Sequence, residues 1–205
     1  MPLYKKFSDH KDNHLVIWNI KEGKQELISA LKQDSSYNIK LSSIKSETKQ
    51  IEFLSILKLL EELNLTFDDL NYDEFGKPTL YKGFISITHS FQYSGIYYSK
   101  KKIGIDIEKF RDKILNIWPK FISKYESELF DFKSVESITK AWTIKESVFK
   151  AFGYDSIDFK KNIIIESLKN NKAIVRIYKN EFSENYLVDL MKFSNYICST
   201  AQIMD

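Results

Sequence analysis

The chain has 205 residues, and 31 Lys and Arg against 28 Asp and Glu leave a formal net charge of +3. One Cys and three His exclude a disulfide framework and a cysteine-rich zinc site, and six Gly fall in neither dinucleotide-binding nor P-loop spacing. A balance this close to neutral gives no reason to expect a nucleic-acid partner. Hydrophobic residues make up 43% and aromatics 15%, enough to bury the core of one domain or two small ones.

Charged residues precede only a short apolar run, Leu15 to Ile20, and no long uncharged apolar stretch follows. No signal peptide, membrane span or membrane partner is therefore expected, and the expected location is cytoplasmic. Between residues 46 and 64, Phe53, Ile56, Leu57, Leu60 and Leu63 recur at steps of three and four, the stripe of an amphipathic helix. Its polar face carries Glu47, Lys49, Lys58 and Glu62.

After a loop around Asp73 to Pro78, runs 84–88, 94–99 and 103–107 are rich in Ile, Tyr and Phe and are expected as strands. Residues 114–118 and 121–132 have helical spacing, with Pro119 at a break or first turn. A stronger helix is expected over 135–152, closed by Gly153 in the left-handed position. Runs 163–166, 173–178, 186–191 and 196–201 return to strand character.

The order predicts an α+β fold rather than a βαβ repeat. It divides into two comparable halves, 1–103 and 104–205, each a small antiparallel sheet packed with a long helix.

Two segments carry chemistry. In the strand Lys102-Ile-Gly-Ile-Asp-Ile-Glu108, alternation puts Asp106 and Glu108 on one face and Ile103, Ile105 and Ile107 on the other, toward the core. Neighbouring carboxylates resist ionisation unless a cation lies between them. Mg²⁺, which takes one or two carboxylates with phosphate oxygens and water, meets that need. The alternative is a solvated strand face.

On the helix through Ala141 to Gly153, Trp142, Lys145, Glu146, Phe149 and Lys150 are neighbours at steps of three and four. They form either an exposed Glu146–Lys150 ion pair or an anion site, with ammonium groups for phosphates and a carboxylate for a metal or a proton.

A Gly-Ile-Asp-Ile-Glu strand followed by Trp-x-x-Lys-Glu-Ser-x-x-Lys resembles the 4'-phosphopantetheinyl transferase superfamily, in its surfactin-synthetase-type branch, in which one chain holds two similar halves. Three further segments fall in the same order. Phe75-Gly-Lys-Pro78 is similar to the family's Gly-Lys/Arg-Pro motif, Ser86-Ile-Thr-His-Ser90 to its Asn-x-Ser-His-Ser motif, and Ile122-Ser-Lys-Tyr-Glu126 to its Phe-Ser-x-x-Glu stretch.

The resemblance implies a pseudo-twofold pair of halves with the active site at their interface. It also implies transfer of the 4'-phosphopantetheine arm of coenzyme A to a serine of an apo acyl or peptidyl carrier protein, releasing adenosine 3',5'-bisphosphate, in lipid or secondary-metabolite biosynthesis. A chain holding both halves is expected to act as a monomer.

By the same resemblance, Asp106, Glu108 and Glu146 hold Mg²⁺, with Mn²⁺ as an alternative. Glu146 serves as the base, with Glu126 as a helper. Lys150 and Lys145 neutralise phosphate charge, and Lys49, Lys77, Pro78, Thr88, His89, Ser90 and Asp106 complete the coenzyme A site, His89 at the 3'-phosphate. Thr88 retains the hydroxyl of the family's Ser. Leu57 stands where relatives carry a phosphate-binding Arg, for which Lys49 or Lys58 is a weaker substitute.

Two other classes compete. One is a metal-dependent nuclease using Asp106, Glu108 and Lys109, which leaves the helix around Trp142 to Lys150 unexplained and calls for more positive charge. The other is a non-catalytic module that binds coenzyme A or a carrier protein.

Overall fold

The computed structural model describes residues 3–9, 12–32, 36–153 and 156–204. The chain divides into two compact units, Met1–Lys100 and Lys101–Asp205. Among the described residues, no helix is long and apolar enough to cross a membrane.

The first unit opens with strands β1 (Leu3–Ser8) and β2 (His14–Asn19) and the short helices α1 (Lys24–Ala30) and α2 (Asn38–Ser43). The long helix α3 (Glu47–Glu62) follows, with Ser46 as its N-cap accepting from the Lys49 amide. A hairpin of β3 (Asn71–Tyr72) and β4 (Pro78–Thr79) leads to strands β5 (Phe84–Ser90) and β6 (Tyr93–Ser99). The sheet is antiparallel in the order β1-β2-β6-β5.

Leu54, Leu57 and Leu60 of α3 pack with Val16, Ile85 and Ile96 of the sheet in one apolar cluster. Ile85 and Leu57 are both core residues, 1% and 4% exposed, so neither position presents a side chain to a ligand.

The second unit holds β7 (Ile103–Lys109), the long helix α4 (Val135–Phe152), the single-turn α5 (Phe159–Asn162) and strands β8 (Ile163–Lys169), β9 (Lys172–Lys179), β10 (Phe182–Phe193) and β11 (Tyr196–Ile203). Its sheet is antiparallel in the order β7-β11-β10-β9-β8. Helix α4 follows the predicted bounds. Ser134 caps its start and Gly153, at φ +76°, closes its end with a bond to the Phe149 carbonyl. Ala141, Ile144, Val148 and Ala151 of α4 pack on Val175, Val188, Ile197 and Ala201 of the sheet.

Residues 112–129 depart from the helical expectation. They form three separate 3-10 turns, Asp112–Asn116, Trp118–Lys120 and Lys124–Leu129. The last is held tight because the carboxylate of Glu126 turns inward, accepting from the Ser123 and Ile165 amides. That long-range pull outweighs the local helical spacing.

The strand β7 shows which face the helix covers. Its register with β11 aligns Gly104 with Ala201, Asp106 with Ser199 and Glu108 with Ile197, and the Ser199 hydroxyl donates to the Thr143 carbonyl of α4 at 2.6 Å. Helix α4 therefore lies on the Gly104-Asp106-Glu108 face, which sets aside the alternative of a solvated carboxylate face. Ile103, Ile105 and Ile107, on the opposite face, are buried as well.

The approach is closest at Gly104, where a Cβ would overlap the Ser147 carbonyl oxygen and stand 2.7 Å from the Ala151 nitrogen. Both are backbone atoms of α4, so a side-chain rotation cannot relieve the clash. Gly104→Ala is expected to cost about 1–3 kcal/mol by overpacking, measured by chemical denaturation. An unchanged stability would contradict the close contact.

Candidate functional site

Asp106 stands in the middle of β7 with its side chain only 7% exposed. The Lys150 ammonium, one turn from the end of α4, donates to its Oδ1 at 2.8 Å and to the Ile105 carbonyl at 3.1 Å. Glu108, two residues along the same face, accepts from the indole N–H of Trp142 and lies 3.8 Å from the Arg111 guanidinium. Trp142 itself is clamped edge-on by Phe121 at 5.0 Å and tilted against Phe159 at 5.5 Å.

Glu146, one turn after Trp142, completes the group electrostatically. Burial and the Asp106 charge push its carboxyl up to about 7, with Lys150 pulling down and Glu108 pushing up. Glu108 is raised by burial and by Asp106 against the opposing pull of Arg111, Trp142 and Lys150. For Lys150, burial lowers the ammonium, but Asp106, Glu146 and Glu108 together raise it on balance.

Three carboxylates thus face the Lys150 ammonium and, beside Glu108, the Arg111 guanidinium, which leaves an excess of one negative charge when all are ionised. Among the described residues no three Asp, Glu, His or Cys side chains are drawn together as a ready-made metal cage. The donor set nevertheless fits Mg²⁺, because that ion keeps several waters, takes only one or two carboxylates and fills other positions with phosphate oxygens. An all-oxygen donor set with carboxylates in excess of their counter-charges suits a hard divalent cation. A cleft of about 180 Å³ opens beside Glu108, lined by Lys109, Arg111, Lys113, Thr139 and Trp142 among others.

Lys145 and Glu126 do not join this group. Both side chains are 0% exposed and lie 2.8 Å apart. Lys145 spends its three N–H donors on Glu126, the Phe159 carbonyl and the Ile163 carbonyl, at 2.9, 2.9 and 2.6 Å. Burial lowers this ammonium, and Glu126 opposes the shift. Sealed and saturated, the pair holds the Lys124–Leu129 turn and the start of β8 against α4. The roles expected for Lys145 at a phosphate and for Glu126 as a helper base are replaced by that structural one.

The nuclease pattern also comes apart. Lys109 lies on the opposite face of β7 from Asp106 and Glu108, its ammonium 6.0 Å over the Tyr196 ring, and the lysine that reaches Asp106 is Lys150.

The first unit holds the other expected residues. Asp73 Oδ1 accepts from the Phe75 and Lys77 amides at 3.0 and 2.8 Å, and Gly76, at φ +79°, makes the turn that presents Lys77 and Pro78 at the start of β4. On β5, alternation separates His89 from Thr88 and Ser90, which are buried on the other face while His89 is exposed. His89 instead meets α3, its Nδ1 3.5 Å from Glu52, and Lys49 binds the same carboxylate at 2.6 Å. Lys58, the other substitute considered for the missing Arg, is committed to Glu61 and the Ala30 carbonyl.

Sequence reasoning passed over Gly104, the Trp142–Glu108 bond and Glu52. The steps of four from Trp142 to Glu146 to Lys150 are the signal that placed the indole beside the carboxylates.

Residues 102–201 match the sequence profile described as the 4'-phosphopantetheinyl transferase superfamily. Among curated proteins the chain is similar to the 4'-phosphopantetheinyl transferase gsp of Aneurinibacillus migulanus, with 29% identity over 143 residues covering 62% of this chain. The match spans 60% of that relative's length.

The raised Glu146 has a consequence for stability. The folded protein keeps this proton up to about pH 7, where the unfolded chain has lost it near the ordinary 4.5. Stability therefore falls as pH rises through that window, and the full cost is present above it. Metal-free Glu146→Gln is expected to lack this fall, so its thermal midpoint in chelator should exceed the parent's at about pH 8 by more than at about pH 5. An equal difference at both pH values would contradict the assignment.

Proposed function

We propose that the protein transfers the 4'-phosphopantetheine arm of coenzyme A to a serine hydroxyl of an apo acyl or peptidyl carrier protein, a reading supported by the match of residues 102–201 to the 4'-phosphopantetheinyl transferase superfamily. Adenosine 3',5'-bisphosphate is the other product. The observation that carries this reading is the Asp106, Glu108, Glu146 and Lys150 group, in which carboxylates in excess of their counter-charge stand beside one oriented ammonium.

Displacement at a pyrophosphate phosphorus asks the protein chiefly for alignment and charge neutralisation. Asp106, Glu108 and Glu146 are the residues that would hold Mg²⁺ or Mn²⁺, which when bound neutralises pyrophosphate charge. Lys150, fixed by Asp106, supplies a second positive charge to a phosphate oxygen as the bond to the leaving nucleotide breaks. Glu146 takes the proton of the carrier serine as its oxygen bonds to phosphorus, acting as a general base positioned beside the reacting group. Trp142 keeps Glu108 oriented toward the same face.

In the first unit, Lys49, Lys77, Pro78 and His89 bind coenzyme A, with His89 at the 3'-phosphate, while the Thr88 and Ser90 side chains are turned away on the buried face of the strand. The enzyme works in the cytoplasm as a monomer.

Incubation with coenzyme A, Mg²⁺ and several apo carrier proteins, followed by mass spectrometry, is expected to show a carrier gaining the mass of the arm. Asp106→Ala and Glu146→Ala are each expected to slow transfer by about 100-fold or more, with circular dichroism unchanged. The proposal fails if no carrier gains mass, and the assignment of the residues fails if either variant keeps parental turnover.

A further inference from the structure

Glu52 is the least exposed member of an unusual trio. Its side chain is 11% exposed, yet its Oε2 lies 2.6 Å from the Lys49 ammonium and 3.5 Å from His89 Nδ1, whose own side chains are 56% and 44% exposed. Lys49 and Glu52 are three apart on α3, an ordinary helical pair. His89 comes from β5, so the carboxylate reaches from helix to sheet and ties two cation-forming groups together.

Left to themselves, an ammonium and an imidazolium repel each other. A nearly buried carboxylate between them holds both at one place and turns their outer sides to solvent. A carboxylate 3.5 Å from one ring nitrogen also favours one orientation of the imidazole.

We propose that Glu52 is a positioning residue that assembles Lys49 and His89 into a site for a phosphate monoester dianion, and thereby sets the preference for coenzyme A over its 3'-dephospho form. This rests on the reading of His89 as the contact of the 3'-phosphate. Glu52 itself touches no substrate. It acts through the two side chains it orients.

A carboxylate that merely happened to lie near the phosphate would repel it, so the two accounts predict opposite signs. Calorimetric titration with adenosine 3',5'-bisphosphate and with adenosine 5'-monophosphate measures the 3'-phosphate preference without any carrier protein. Glu52→Gln, which retains the shape, is expected to reduce that preference about tenfold or more, to leave 5'-monophosphate binding near the parental value, and to raise KM for coenzyme A with kcat little changed.

In a His89→Gln background the same substitution is expected to have far less effect, which separates positioning from a general loss of stability. A preference that is unchanged or increased in Glu52→Gln would overturn the proposal while leaving the transfer reaction intact. A parent protein with no preference for the 3'-phosphate would overturn both the proposal and the assignment of His89, and the transfer assay would still report independently on the reaction.

Discussion

The second unit depends on one steric allowance, the missing side chain at Gly104. It lets the backbone of α4 settle directly on β7, where any Cβ would meet the Ser147 carbonyl oxygen. Because strand residues alternate, the face that receives the helix is also the face that carries Asp106 and Glu108. The helix in turn delivers Trp142, Glu146 and Lys150 at steps of four onto that face. A packing contact between two backbones thus gathers charges that would otherwise be spread over a solvated strand, and burial makes their mutual repulsion felt in Glu146 and Glu108.

Such a gathering is costly, and the rest of the unit shows how α4 is kept in place against it. A helix turns about 100° per residue, so Lys145 and Glu146, though adjacent, serve different surroundings. Lys145 enters the closed ion pair with Glu126 and two backbone carbonyls, while Glu146 faces the carboxylate group. Breaking a buried pair of this kind by removing one partner typically costs about 3–5 kcal/mol, because the survivor is left charged and unpaired. The pair is therefore well suited to fix α4 on one side while Gly104 fixes it on the other.

Much of this was legible in the residues. The apolar spacing and Gly153 bounded α4 correctly, and the second-unit strands were found with ends a few residues short. Strand β1 was missed because its side chains are mostly exposed and carry no alternation, and α1 and α2 because they are too short for a helical stripe to repeat. The separation of His89 from Thr88 and Ser90 follows from strand alternation alone.

The burial of Lys145 and Glu126 is a different matter. Two charged residue types beside reactive ones look functional until the tertiary partners of each oxygen and N–H are known. The same holds for Glu52, which becomes meaningful only when β5 is laid against α3, whereas the burial of Leu57 follows from its place in the apolar stripe of α3.

The central claim is that the excess carboxylates on the Gly104 face form a site for a hard divalent cation that competes with the proton on Glu146. Titration of the protein with Mg²⁺ near pH 7 in buffers of different ionisation enthalpy tests it directly, since calorimetry then counts the protons released per ion bound. Roughly half a proton should leave at that pH, and less as the pH is raised. Binding without proton release, or no binding with or without coenzyme A, would contradict the account.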